Sequence, residues 1–147
     1  MLRLNHTSLH KIKVHAMTTY PEECCGVLMG RKDDKGTIVC DVLALKNTQQ
    51  ENRTHRFLIT PQDYAVAEQE ANKEGVDVIG FYHSHSDHPA QPSPFDLEHA
   101  LPWWSCVIVS VDKGQPSRIK SWLLKDDRSS FEEEKIDVTD GQFKHSM

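Results

Sequence analysis

Apolar and polar positions alternate in short blocks along the chain. Leu9, Ile12 and Ala16 recur at helical spacing, and Thr7 or Ser8 is placed to cap the helix they predict, which Pro21 closes. Gly26 to Arg31 reads as an apolar strand. Lys32-Asp33-Asp34-Lys35-Gly36 then predicts a hairpin turn, and Thr37 to Leu45 alternates as the partner strand. A polar loop from Asn47 to His55 and a short strand from Arg56 to Ile59 follow. Thr60-Pro61 opens a second helix, a cap followed by a proline at the first helical position. That helix runs through Ala65, Ala67 and Ala71 to Gly75, a good residue just past a helix end. Val76 to Tyr82 reads as a buried strand, and Pro94 to about Leu101 as a short helix broken by Pro102-Trp103-Trp104. Cys106 to Val111 and Ile119 to Leu124 are two more strands, joined by a turn over Asp112 to Ser117. After Ser129 the chain turns acidic at Glu132-Glu133-Glu134, and the last ten residues are expected to fray. Strands and helices mix without regular βαβ alternation. This predicts an α+β domain, a mixed sheet flanked by helices.

At 147 residues the chain fits a single domain, 1–147, large enough for a real core. Its net charge of −5 comes with no basic block, which disfavours a nucleic-acid partner. No apolar run approaches membrane-spanning length, and the N-terminus lacks a signal-peptide pattern. No membrane partner is expected, and the location expected is cytoplasmic. Four cysteines give no Cys-x-x-Cys pair: Cys24 and Cys25 are adjacent, while Cys40 and Cys106 fall inside predicted strands. Buried, reduced thiols are the reading, with a nucleophilic Cys24 or Cys25 as the weaker alternative. The Trp103-Trp104 pair reads as core or rim packing. His10 and His15 are expected at the surface or an edge, and His55 toward solvent.

The chemistry concentrates after the Val76–Tyr82 run, in His83-Ser84-His85-Ser86-Asp87-His88-Pro89-Ala90-Gln91-Pro92-Ser93-Pro94-Phe95-Asp96. Alternation along a strand points His83 and His85 the same way, with Cα atoms about 6–7 Å apart. Two imidazoles so placed can converge on one ion at about 2.0–2.1 Å per bond. Ser93 reads as a helix N-cap with Pro94 at the first helical position, so Asp96 falls in the first turn and can supply an oxygen ligand. Two His and one carboxylate leave a fourth position open, the arrangement of a catalytic zinc. Ser93-x-x-Asp96 equally fits a variant capping box that needs no metal.

His-x-His, seven residues, Ser, two residues, Asp resembles the zinc motif of the JAMM (MPN-plus) metalloprotease family. Pro21-Glu22-Glu23-Cys24-Cys25-Gly26-Val27-Leu28-Met29-Gly30 resembles that family's first-strand motif, Pro-x-Glu-x-x-Gly-x-Leu-x-Gly, which aligns Glu23 rather than Glu22. Further matches are Asn47, Arg56-Phe57, Thr60-Pro61-x-Asp63-Tyr64 and Gly80-Phe81-Tyr82. The likeness covers about Leu9 to Leu124 and is greatest to short, free-standing bacterial members. It implies the cytidine-deaminase-like sandwich of MPN domains. It also implies one Zn²⁺ per chain on His83, His85 and Asp96, Glu23 as general base, and Ser93 as a donor to the tetrahedral oxyanion. The reaction implied is hydrolysis of a peptide or isopeptide bond after the C-terminal Gly-Gly of a ubiquitin-like protein, with sulfur carriers of the ThiS and MoaD type as expected partners. One departure is Ser86, where many members have Pro. His88, two residues on, could be an extra ligand or a substrate contact and is left outside the ligand set. The alternative function is a catalytically silent MPN scaffold that binds protein partners. A zinc deaminase would need His-x-Glu and a Pro-Cys-x-x-Cys pair, neither of which is present.

Overall fold

Strand pairing, rather than any single motif, brings the two predicted motifs together. The computed structural model describes residues 1–46, 60–99 and 104–139. In chain order the elements are β1 (Leu2–Asn5), α1 (His6–Thr19), β2 (Cys25–Asp33), β3 (Gly36–Leu45), α2 (Pro61–Lys73) and β4 (Asp77–Ser86). They continue with α3 (Pro94–His99), β5 (Ser105–Asp112), β6 (Gln115–Leu124), β7 (Phe131–Glu134) and β8 (Ile136–Thr139). The strands form one mixed sheet in the order β7-β6-β5-β4-β2-β3-β1-β8. This is the α+β architecture expected, with a mixed sheet and helices against it.

β4 lies near the middle of the sheet, antiparallel to β2 and parallel to β5. It has sheet neighbours on both edges, and Ile79 through Ser86 are buried. One face packs under α1, where Ile12 and Ala16 meet Leu28, Val39, Tyr82, Val107 and Val109. On the other face Val27, Met29, Ile38 and Cys40 pack with Ala67 and Ala71 of α2. Beside them Cys25, Phe81, Cys106 and Ile108 form a third cluster. Trp104 joins this layer, its ring 5.5 Å from Tyr64 and 6.4 Å from Phe81. All four cysteines are buried and unbridged, as expected.

Several boundaries differ from the sequence expectation. Asn5, not Thr7 or Ser8, caps α1, its Oδ1 accepting from the Ser8 N–H at 2.8 Å. The helix starts earlier because β1 ends directly against it. β4 continues past Tyr82 through both histidines to Ser86. Pro116 lies inside β6 rather than in a turn, opposite a register shift between Ser110 and Val111, a place where the missing N–H is tolerated. β7 and β8 occupy a stretch expected to be acidic and then frayed. Val138 and Thr139 pair with Leu4 and Asn5. β1, β7 and β8 therefore extend the sheet on both sides of the Leu9–Leu124 stretch. His10 is exposed as expected, whereas His15 is half-buried with its Nδ1 2.7 Å from the Tyr82 hydroxyl. The predicted loop and strand over 47–59, His55, Asn47, Arg56-Phe57, Trp103 and the predicted helix end at Leu101 lie outside the described residues. Among the described residues no helix is long and apolar enough to cross a membrane.

Candidate metal centre

His83 and His85 face away from α1, beside Cys25, Phe81 and Ile108. Their Nε2 atoms lie 3.2 Å apart. The Pro-rich turn returns the chain over this face, and α3 presents Asp96 between them. Asp96 Oδ1 is 3.1 Å from His83 Nε2, and Oδ2 is 3.1 Å from His85 Nε2. All three residues are buried. Donors of a tetrahedral ion with bonds of about 2.0–2.1 Å lie about 3.3 Å from one another. The three observed separations match that edge. The donor set, two imidazoles and a carboxylate, suits zinc.

The surroundings prepare these atoms for a cation. His85 Nδ1 lies 2.8 Å from the Pro89 carbonyl, so Nδ1 carries a proton and Nε2, facing Asp96, is the nitrogen that would give up its own to a cation. His83 Nδ1 faces Cys106 Sγ at 3.9 Å. Burial lowers the pKa of His83, against the opposing pull of Asp96, which favours the neutral ring a metal requires. Burial alone would raise Asp96. The charge and hydrogen bond of His83, with hydrogen bonds from His85 and the Ser93 N–H, instead hold it well below the usual carboxylate range.

Ser93 and Asp96 cap α3 reciprocally. The Ser93 N–H donates to Asp96 Oδ2 at 2.8 Å, and the Asp96 N–H donates to Ser93 Oγ at 3.1 Å. The capping-box reading and the ligand reading thus coexist in one residue pair. Because Ser93 Oγ acts only as acceptor in the cap, its own proton remains available to another acceptor.

Glu23 reaches the site through strand register. Cys25 pairs with His83, and the Ser84 N–H donates to the Cys24 carbonyl, so continuing the antiparallel count sets Glu23 opposite His85. Glu23 is buried, and Glu22 is exposed. Burial, then the charge of Asp96, pushes the Glu23 carboxyl up to about 9, opposed by the Ser86 N–H. Glu23 Oε2 lies 3.2 Å from His88 Nε2, and the His88 ring stacks on His85 at 4.1 Å. This contact was missed in the sequence. Only the β2–β4 register could have revealed it. Among the described residues two overlapping groups of donors result, His83–His85–Asp96 and Glu23–His85–His88. The weaker cysteine reading loses ground. Burial raises Cys24 to about 11 and Cys25 to about 12, which leaves neither as a thiolate at neutral pH.

The profile of the family described as prokaryotic homologs of the JAB domain matches residues 7–125. The chain belongs to that family. Among curated relatives, this JAB domain is 31% identical over 115 residues to the tail tip assembly protein K of Escherichia phage N15, covering 76% of the chain and 42% of the relative. It is 31% identical over 116 residues to the desampylase of Pyrococcus furiosus, covering 79% and 76%. It is also 30% identical over 104 residues to a Thermus thermophilus protein named "Probable TtuB-protein conjugate cleaving protease", covering 71% and 66%. The JAB domain thus spans less than half of the phage relative. A solution structure from Desulfitobacterium hafniense superposes with a TM-score of 0.85 at 30% identity, covering 97% of this chain and 95% of that one. A JAB1/MPN domain protein from Archaeoglobus fulgidus superposes at 0.60 with 20% identity, covering 95% and 97%, and supports the MPN fold.

Proposed function

We propose that this JAB domain is a zinc metallopeptidase that hydrolyses the peptide or isopeptide bond after the C-terminal Gly-Gly of a ubiquitin-like sulfur-carrier protein of the ThiS/MoaD type. The observation that carries the reading is the buried trio of donors, 3.1–3.2 Å apart, with Glu23 alongside. His83, His85 and Asp96 hold one Zn²⁺ per chain. When bound, zinc polarises the scissile carbonyl and makes water a competent nucleophile near neutral pH. Glu23, whose ionised form the charge of a bound cation would favour against burial and the Asp96 charge, takes the proton of the attacking water and returns it to the leaving amine. Ser93 Oγ–H donates to the oxygen on which negative charge develops.

The names of the Pyrococcus and Thermus relatives support a hydrolase acting on ubiquitin-like conjugates. An extended tail gains main-chain hydrogen bonds along a strand edge, and glycine lets its backbone approach closely. The test is mass spectrometry of a sulfur carrier extended beyond its Gly-Gly, incubated with enzyme with and without chelator. Cleavage after the second glycine that chelator abolishes is expected. Equal cleavage once the penultimate glycine is changed to valine would remove the tail-threading basis. Chelator-insensitive cleavage would remove the zinc chemistry. No cleavage by zinc-loaded protein would favour the scaffold alternative.

A further inference from the structure

We infer that His88 is a positioning residue for Glu23: its ring Nε2, 3.2 Å from Oε2, fixes that oxygen of the carboxyl and so sets the direction in which Glu23 meets the reacting proton. The inference rests on Glu23 serving as general base, as proposed above.

The segment that carries His88 is unusually well fixed. Asp87 adopts a left-handed backbone with φ of 61°, a conformation aspartate tolerates better than most residues. Its N–H donates to the Val111 carbonyl at 2.7 Å. Its carboxylate accepts from the Tyr20 hydroxyl at 2.7 Å and from the Lys113 N–H at 2.8 Å. The next three carbonyls are also engaged. That of His88 accepts from Ser110 Oγ at 2.7 Å, and that of Pro89 from His85 Nδ1 at 2.8 Å. That of Ala90 accepts from Trp122 Nε1 at 3.1 Å. The backbone on either side of the His88 side chain is thus pinned to α1's C-terminal flank, β4, β5, β6 and the β5–β6 turn. Stacking at 4.1 Å and 12° on His85, itself held by Pro89, fixes the plane of the ring. The ring Nε2 lies 3.2 Å from Glu23 Oε2.

A ligand role for His88 fits less well. His85 belongs to both donor groups, but its one free nitrogen already converges with His83 and Asp96. The Glu23–His85–His88 group therefore shares its His85 nitrogen with the His83–His85–Asp96 group. A hydrogen bond has a clear use instead. Glu23 is attached to a strand start by a flexible side chain, and a base must be held within hydrogen-bond reach of its proton. The Ser86 N–H also bonds the Glu23 carboxyl, and the pinned His88 ring adds the side-chain contact that orients Oε2.

The test uses the zinc-loaded full chain and the extended sulfur carrier. His88→Leu is expected to lower kcat about 10- to 100-fold, with KM and zinc per chain unchanged. His88→Gln, whose amide N–H can reach the place of Nε2–H, should recover most of the rate. In a Glu23→Gln background, His88→Leu should add no further loss. Full activity of His88→Leu, a loss confined to KM, a fall in bound zinc, or multiplying losses in the double variant would each overturn the inference. ¹⁵N spectra of the histidine rings in zinc-loaded protein give a reading independent of substrate. Glu23→Gln should shift the His88 Nε2 resonance and leave that of exposed His10 in place. An unmoved His88 resonance would overturn the positioning role even if the substrate proposal failed, and inactivity of the wild type would count against that proposal alone.

Discussion

At the scale of single residues, the proposed site would separate holding a metal from moving a proton. His83, His85 and Asp96 converge through atoms 3.1–3.2 Å apart, while Glu23 stands outside that trio. Glu23→Gln should therefore leave metal content intact while removing the base, a loss of about 10²–10⁴-fold in kcat. Its fold should survive, because the amide replaces a carboxyl already pushed toward its neutral form by burial. Elemental analysis and a thermal melt beside the kinetics check all three points. If Glu22→Gln abolished activity and Glu23→Gln did not, the assignment of the base would be wrong. Ser93→Ala has two separable consequences. Losing an oxyanion donor costs about 10²–10³-fold in kcat, and losing the cap of α3 costs about 1 kcal/mol. Ser93→Asn, which can still cap, should recover the stability but little of the rate.

At the scale of elements, legibility followed local pattern. β2, β4 and β5 are apolar runs, and the Thr60-Pro61 start of α2 carries a full capping box, with Asp63 Oδ2 accepting from the Thr60 N–H. All were readable. β1 is four residues with an arginine inside, too short for a periodic signal. β7 reads Phe-Glu-Glu-Glu, which looks like a solvated run. Its place in the sheet comes from tertiary contacts: buried Glu134 accepts from Ser105 Oγ at 2.6 Å and Ser121 Oγ at 2.7 Å. The convergence of His83, His85 and Asp96 was legible because their spacing lies within fourteen consecutive residues, whereas the Glu23–His88 pair joins distant segments through the β2–β4 register. That register depends on Gly26. A Cβ there would come within 2.2 Å of the Tyr82 ring, which is buried and tied to His15. Gly26→Ala should cost about 1–3 kcal/mol through overpacking. It should also weaken zinc binding, because the neighbouring pair is Cys25–His83. Urea unfolding and a zinc titration measure the two effects, and an unchanged midpoint would show that the Tyr82 ring has room to yield.

At the scale of the whole molecule, the proposed metal would join parts of unequal stability. β4 is flanked by paired strands, and its two histidines belong to the buried core. α3 is only six residues long, too short to persist on its own, and its cap draws on the same carboxylate that faces the histidines. Without a cation, Asp96 is held by hydrogen bonds to His83, His85 and the Ser93 N–H. A bound ion would replace the contacts to histidine with ligand bonds and fasten α3 to the sheet. The stabilisation should therefore be local as well as global. By mass action, zinc at 100 times its Kd should add about 2.7 kcal/mol to unfolding. In hydrogen exchange, chelation should speed the amides of residues 93–98 far more than those of β1 and β3, whose protection comes from pairing within the sheet. His83→Ala should abolish the difference between zinc-loaded and chelated protein in residues 93–98. Equal acceleration across the sheet would mean that the metal supports the core as a whole, and no acceleration anywhere would mean that α3 is held without it.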